Sequence, residues 1–214
     1  MRKGNRQMQA EKTRQRIFET ALELFQKKGF DRVTVDEIVE KSKSSKGAFY
    51  GHFHSKYGIF LEKFKEIDTF YETFVQTIAE EDALKEKILK LFQGQMHYLE
   101  HELGKDLMRT VYSNGLNESE NHFFNNTERS LYRILIHFVN SSIERGELVK
   151  EANAERIAVL ITRCMRGNLY DWIAFGDHYS LQEESKQFVD IFMEGILMQF
   201  GSDGEEKDEN GISS

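Results

Sequence analysis

The apolar positions along this chain recur every three or four residues, and no stretch alternates apolar and polar residues with period two. Ile17, Ala21, Leu24 and Phe25 form a first helical stripe, with Gly29 just beyond it as a C-cap. Thr34 opens a second helix with Glu37 three residues on, a capping-box spacing, and Ile38 and Val39 supply its short apolar face. After the polar break KSKSS a third short helix carries Phe49 and Phe53. Ser55 caps a long helix from Lys56 to about Ala79, striped by Ile59, Phe60, Phe64, Ile67, Tyr71, Phe74, Val75 and Ile78. Further helices are predicted over 82–102, 105–112, 120–145, 154–176 and 181–200, with Gly104, Gly115, Gly146 and Gly176 at most of the joins. The fold class is therefore all-α, with a three-helix domain over 8–55 and a larger helical domain over 56–200. The acidic, apolar-poor tail 201–214 is expected to be disordered.

Composition sharpens this in three places. Proline is absent, so nothing interrupts the long helices. The single cysteine, Cys164, excludes an intramolecular disulfide framework and, within its apolar run, reads as a core residue in a reducing cytosol. The N-terminus MRKGNRQMQAEKTRQR is basic but has no apolar stretch behind it, so no signal peptide is expected. No apolar run approaches the ~20 residues that span a bilayer, so a cytoplasmic location without a membrane partner is expected. Charge is unevenly spread. Residues 1–60 carry 13 Lys/Arg against 7 Asp/Glu, a net of +6, whereas the remainder carries 16 against 29, a net of −13. A basic front on an acidic body suggests a polyanion-binding module joined to something else.

The stretch SSKGAFYGHFHSK, residues 44–56, carries the sharpest signal. Phe49 and Phe53, four apart, share one helix face and must pack inward. Gly47 and Gly51 lie on the opposite face, where each costs about 1 kcal/mol relative to alanine. Glycine there lets the backbone approach whatever it faces, and in a helix-turn-helix that object is the base edges of a DNA major groove. Ser45, Tyr50, His52 and Lys56 flank this face with donors suited to phosphate oxygens.

The segment TVDEIVEKSKSSKGAFYGHFHSKYGIF, residues 34–60, preceded by RQRIFETALELFQKKGFDRV, resembles the TetR (tetracycline-repressor) family of bacterial transcription regulators. The resemblance is carried by the spacing Ser45-Lys46-Gly47-x-Phe49-Tyr50-x-x-Phe53-x-x-Lys56, in a motif spanning about 34–53. It implies that Thr34 meets phosphate, that Ser45, Lys46, Gly47 and Ala48 begin a recognition helix beside Gly51, and that Tyr50, His52 and Lys56 clamp the DNA backbone. The family usually has glycine and a branched apolar residue in the turn. Lys43 and Ser44 stand there instead, so Lys43 needs a left-handed backbone.

For the body, the resemblance implies a ligand cavity enclosed by residues from about 82 to 176 and connected to the head through the 56–79 helix. Candidate lining residues are Phe92, Met96, Met108, Phe123 and Phe124, with Arg133, His137 and Arg166 as polar anchors, unless these three simply face solvent. The 181–200 helix is apolar on two sides, with Phe188, Ile191 and Phe192 on one and Val189, Met193, Ile196 and Phe200 on the other. A monomer's surface helix needs one such face. A homodimer interface is therefore expected at Val189, Met193, Ile196 and Phe200, with Trp172 as neighbour. His97 and His101 have the spacing of a chelating pair but read as solvated surface, so no metal and no cofactor are expected. KSKSSKG lacks the leading glycine of a phosphate-binding loop and no Gly-x-Ser-x-Gly elbow occurs, so an enzyme is not expected.

These readings converge on a ligand-responsive DNA-binding regulator: a homodimeric repressor released from a near-palindromic operator in double-stranded DNA by a small, mainly apolar inducer. The alternative is a ligand-binding or interaction protein whose basic head contacts another polyanion.

Overall fold

A computed structural model describes residues 2–115, 126–175 and 180–202. Among these residues the chain is helical: α1 (Arg2–Lys28), α2 (Val35–Lys41), α3 (Lys46–His52), α4 (Lys56–Phe74), α5 (Leu84–Tyr98), α6 (Lys105–Gly115), α7 (Ser130–Glu144), α8 (Ala154–Phe175) and α9 (Leu181–Phe200). A single antiparallel bridge joins Leu148 to Gly201.

The chain divides into two compact units, one of residues 1–66 with 103–124 and one of residues 67–102 with 125–214. In the first unit α1, α2 and α3 pack on one another. Ile17, Ala21, Leu24 and Phe25 of α1 are buried with Ile38, Phe49 and Phe53, as their spacing predicts. Phe25, Phe30 and Phe60 form an aromatic cluster with ring centres 4.6–5.2 Å apart. Gly29 ends α1 with φ +80°, which suits glycine alone at no cost. In the second unit α5 packs on α7 and α9, and α8 on α7 and α9. The buried side chains there include Leu91, Phe92, Met96, Leu135, Phe138, Ile161, Met165, Val189 and Met193. Residues 56–66 and 103–124, placed by the sequence in the larger domain, group with the N-terminal helices.

Three predicted boundaries move for local reasons. The 56–79 helix stops at Phe74 and closes with a 3-10 turn, where the Thr77 hydroxyl donates to the Phe74 carbonyl at 2.7 Å and competes with helix bonding. The 82–102 helix passes into a π-turn over Leu99–Leu103. The 120–145 helix begins at Ser130, because Asn126 Oδ1 accepts from the Glu128 N–H at 2.9 Å and holds a turn ahead of it. Residues 120–125 of that prediction, Phe123 and Phe124 among them, and tail residues 203–214 lie outside the described residues.

The interface expected on α9 is corrected. Val189, Met193 and Ile196 are buried within their own protomer, as is Trp172 of α8, so none is available to a partner. Phe200 is half-buried at the end of α9, where its carbonyl accepts from Val149 N–H at 2.8 Å. Of the other apolar stripe, Phe188 and Ile191 are exposed and Phe192 is half-buried, and Met198 is exposed beside them.

Candidate DNA-binding site

The turn between α2 and α3 is built from its own polar residues. The Lys43 N–H donates to Glu40 O at 3.1 Å and the Ser44 N–H to Val39 O at 3.0 Å, which closes α2 in a Schellman arrangement. That arrangement demands a left-handed residue, and Lys43 supplies it with φ +50°, as the sequence requires. Without glycine this conformation costs about 1–2 kcal/mol. The Ser42 and Ser44 hydroxyls, 2.8 Å apart, tie the turn together.

The helix caps fix both ends of the motif. Thr34 Oγ1 accepts from the Glu37 N–H at 3.2 Å, and Ser45 Oγ accepts from the Ala48 N–H at 3.1 Å. Each hydroxyl accepts in its cap and keeps its own O–H to donate, for instance to a phosphate oxygen. Both residues are exposed.

Along α3 the two faces differ completely. Phe49 and Phe53 are buried, and Phe53 stacks on Phe18 with ring centres 6.3 Å apart. On the other side Gly47, Tyr50 and Gly51 are exposed, Ala48 and His52 half-buried. A Cβ added at Gly47 would meet Ser45 Oγ at 3.8 Å, ordinary contact, and one at Gly51 would meet nothing within 4 Å. No intramolecular crowding explains either glycine.

Lys46 pairs with Asp36 at 2.7 Å, and that hydrogen bond holds its pKa above the usual lysine value. Both side chains are exposed, so the pair is weak and Lys46 can exchange it for a phosphate. Lys56 also has partners within the head. Its Nζ donates to Phe30 O at 2.7 Å and to Val33 O at 2.9 Å, and lies 4.1 Å from the centre of the Phe30 ring. Two of its three N–H donors are thus committed inside the head, and its first role is to tie the start of α4 to the loop after α1. Partial burial pushes its pKa down, with Asp31 opposing. Arg14, which the sequence did not single out, pairs with Glu62 and lies 5.6 Å from the Phe53 ring centre.

Phe92 and Met96 are buried on α5 in the second unit, and Met108 is buried on α6, which groups with the first. Arg133 and His137 take the solvent-facing alternative. Both face solvent, Arg133 bonded to Glu72 Oε1 at 3.1 Å and His137 Nε2 3.6 Å from Glu80 Oε1. Arg166 is half-buried on α8. The His97 and His101 rings lie 4.5 Å apart, with the Gln182 amide nitrogen 3.3 Å from His97 Nδ1 and 3.5 Å from His101 Nε2. Among the described residues no group of three or more His, Cys, Asp or Glu is arranged to hold a metal ion, and no helix is long and apolar enough to cross a membrane.

Comparison with known proteins bears on both units. A family model described as bacterial regulatory proteins, tetR family, matches residues 17–62. A second, described as MAATS-type transcriptional repressor, C-terminal region, matches residues 83–198. The HTH-type transcriptional regulator AcrR of Shigella flexneri is 23% identical over 201 residues, covering 89% of this chain and 92% of that protein. Among solved structures, the TetR-family repressor FadR of Thermus thermophilus in complex with lauroyl-CoA has a TM-score of 0.72 at 23% identity, over 92% of this chain and 100% of that one. FadR of Bacillus subtilis in complex with stearoyl-CoA has a TM-score of 0.67 at 19% identity, over 85% and 98%.

Proposed function

Because the chain belongs to the TetR family of bacterial transcriptional regulators, and is thus a DNA-binding regulator and not an enzyme, we propose that it is a homodimeric repressor released from a near-palindromic operator by a mainly apolar, anionic ligand. The observation that carries the DNA reading is the exposed face of α3. Two glycines there cost the helix about 1 kcal/mol each, and nothing within the protein crowds them. A major groove, which admits an α-helix only at close range, supplies the missing reason. Thr34, Ser45, Lys46, Tyr50 and His52 then surround that face with phosphate donors.

The dimer reading rests on the same logic. Phe188, Ile191 and Met198 form one exposed stripe on α9, with Tyr170 and Phe175 exposed on α8. A Cβ at Gly167 or Gly195 would meet nothing within 4 Å, so a second copy can approach both helices closely. Paired heads would meet successive major grooves and read a two-fold site. For the ligand, the apolar side chains of Phe92 and Met96, buried on α5, fit an aliphatic chain. The two FadR structures, both solved with an acyl-CoA, make long-chain acyl-CoA the first class to try.

The test is selection of bound genomic fragments by the purified chain against excess competitor DNA, followed by titration with lauroyl-CoA. A recovered near-palindrome that lauroyl-CoA releases is the expected result. Tyr50→Ala should weaken all sequences about equally, whereas a folded Gly47→Leu should lose the recovered site and keep its non-specific binding. Intact operator affinity in folded Gly47→Leu would overturn the α3 orientation.

A further inference from the structure

The match to the family's DNA-binding head begins at residue 17, yet α1 begins at Arg2. The helix therefore runs about four turns ahead of the matched head. Packing does not account for this extension: residues 6–12 are all exposed, and burial along α1 starts at Ile17. A helical segment that buries nothing is marginal in water and needs another reason to be there.

Its charges supply one. Residues 2–16 hold six Lys/Arg and a single acid, Glu11, which is paired to Arg14 at 3.2 Å. Arg14 in turn is held by Glu62 on the core side of the helix. Among the described residues Arg6, Lys12 and Arg16 have no carboxylate within ion-pair distance. At 100° per residue these three fall within a sector of about 120°, spread over about 15 Å of helix. Duplex DNA carries about nine phosphate charges in that length. The sequence continues the same character upstream with Arg2 and Lys3. The extension is also joined directly to the recognition unit, because Phe18 of α1 stacks on Phe53 at the end of α3.

We propose that the N-terminal extension of α1 is a second DNA-contacting element, whose Arg6, Lys12 and Arg16 neutralise backbone phosphates flanking the site read by α3; this rests on the DNA-binding reading above. The contact is with charge and not with sequence. It raises affinity for all duplex DNA and leaves the preference of α3 unchanged.

The experiment compares the full chain with its triple variant Arg6→Gln, Lys12→Gln, Arg16→Gln on the recovered operator and on random duplex, across a salt series. Glutamine matches these residues in helix propensity, so circular dichroism should show the same helix content. Each neutralised phosphate adds about 0.9 to the slope of log K against log salt. The triple variant should lower that slope by about 2–3 per bound protomer on both DNAs, about 5 for a dimer with both heads engaged, and weaken binding at 0.15 M salt by roughly tenfold to a hundredfold per protomer. The charge-preserving pair Arg6→Lys, Arg16→Lys should keep the slope. An unchanged slope would overturn the proposal. So would a loss confined to the operator, which means base reading, or a gain in affinity, which means the arm was held by the acidic body. If the full chain selects no site, the operator reading fails, while the slopes on random duplex still decide the arm.

Discussion

Replacing Lys56 by methionine separates two roles that the sequence could not tell apart. The variant keeps an unbranched stem of similar length and loses the ammonium, which donates to Phe30 O at 2.7 Å and Val33 O at 2.9 Å. Hydrogen bonds from a charged donor contribute about 1.5–3 kcal/mol each, and the contact with the Phe30 ring about 0.5–1 kcal/mol. Relief of the ammonium's desolvation, and the solvent that still reaches a half-buried group, offset about half of this. The net loss should be about 1–3 kcal/mol of stability in the N-terminal unit. Hydrogen exchange across residues 29–36 and the denaturant midpoint report it directly. Operator binding by the folded fraction should keep its salt slope. If Lys56 served phosphate alone, stability would be unchanged and the slope would fall by about 0.9 per bound protomer. That outcome would refute the tie between α4 and the loop after α1. A pH series gives a second check, since burial lowers the folded pKa below the usual 10.5. Below the folded pKa the ammonium is charged in both states and the full desolvation cost applies. Between the folded and unfolded values the folded state releases its proton, so stability rises with pH. Lys56→Met should abolish that rise.

Two further outcomes test the second unit. Ile191→Glu, on the exposed stripe of α9, should leave the fold intact and shift sedimentation from dimer to monomer, whereas Met193→Glu should unfold the unit by burying an unpaired charge; a dimeric Ile191→Glu would remove this stripe from the interface. The buried Cys164 thiol, pushed up to about 12 by desolvation, should resist iodoacetamide at pH 8 until denaturant is added, and equal native and denatured rates would contradict its burial.

The head was legible in the sequence because its decisive interactions are local. Thr34, Ser45 and Ser55 each accept a hydrogen bond from a backbone N–H three residues on, so the cap positions follow from residue type and spacing. The left-handed Lys43 was legible for the same reason, since a six-residue turn of fixed length must place one residue there. The partners of Lys56 were not legible because Phe30 and Val33 are 26 and 23 residues away. A polar residue opening a helix looks the same whether it meets water, phosphate or a distant carbonyl. The N-terminal extension was passed over because it lacks an apolar stripe, and periodicity cannot register a helix whose purpose is charge.

The second unit shows a different limit. The two apolar stripes of α9 are equivalent to any count of hydrophobic positions, and one rotation of the helix exchanges them. What breaks the symmetry is charge on their flanks. Lys85 of α5 reaches Asp190 at 2.8 Å and also pairs with Glu194, four residues further along α9. Asp190 and Glu194 lie between the two stripes around the helix, so holding both against α5 fixes the rotation in which Val189, Met193 and Ile196 turn inward. Phe188, Ile191 and Met198 are left outside. At exposed positions such pairs contribute little to stability, but orientation needs only a small bias between two packings of similar apolar area. Read this way, Asp190 and Glu194 could have assigned the faces from the sequence, given a lysine on the neighbouring helix. The exposed stripe is the face the proposed dimer would use, since a two-fold axis brings the same stripe of a second copy against it.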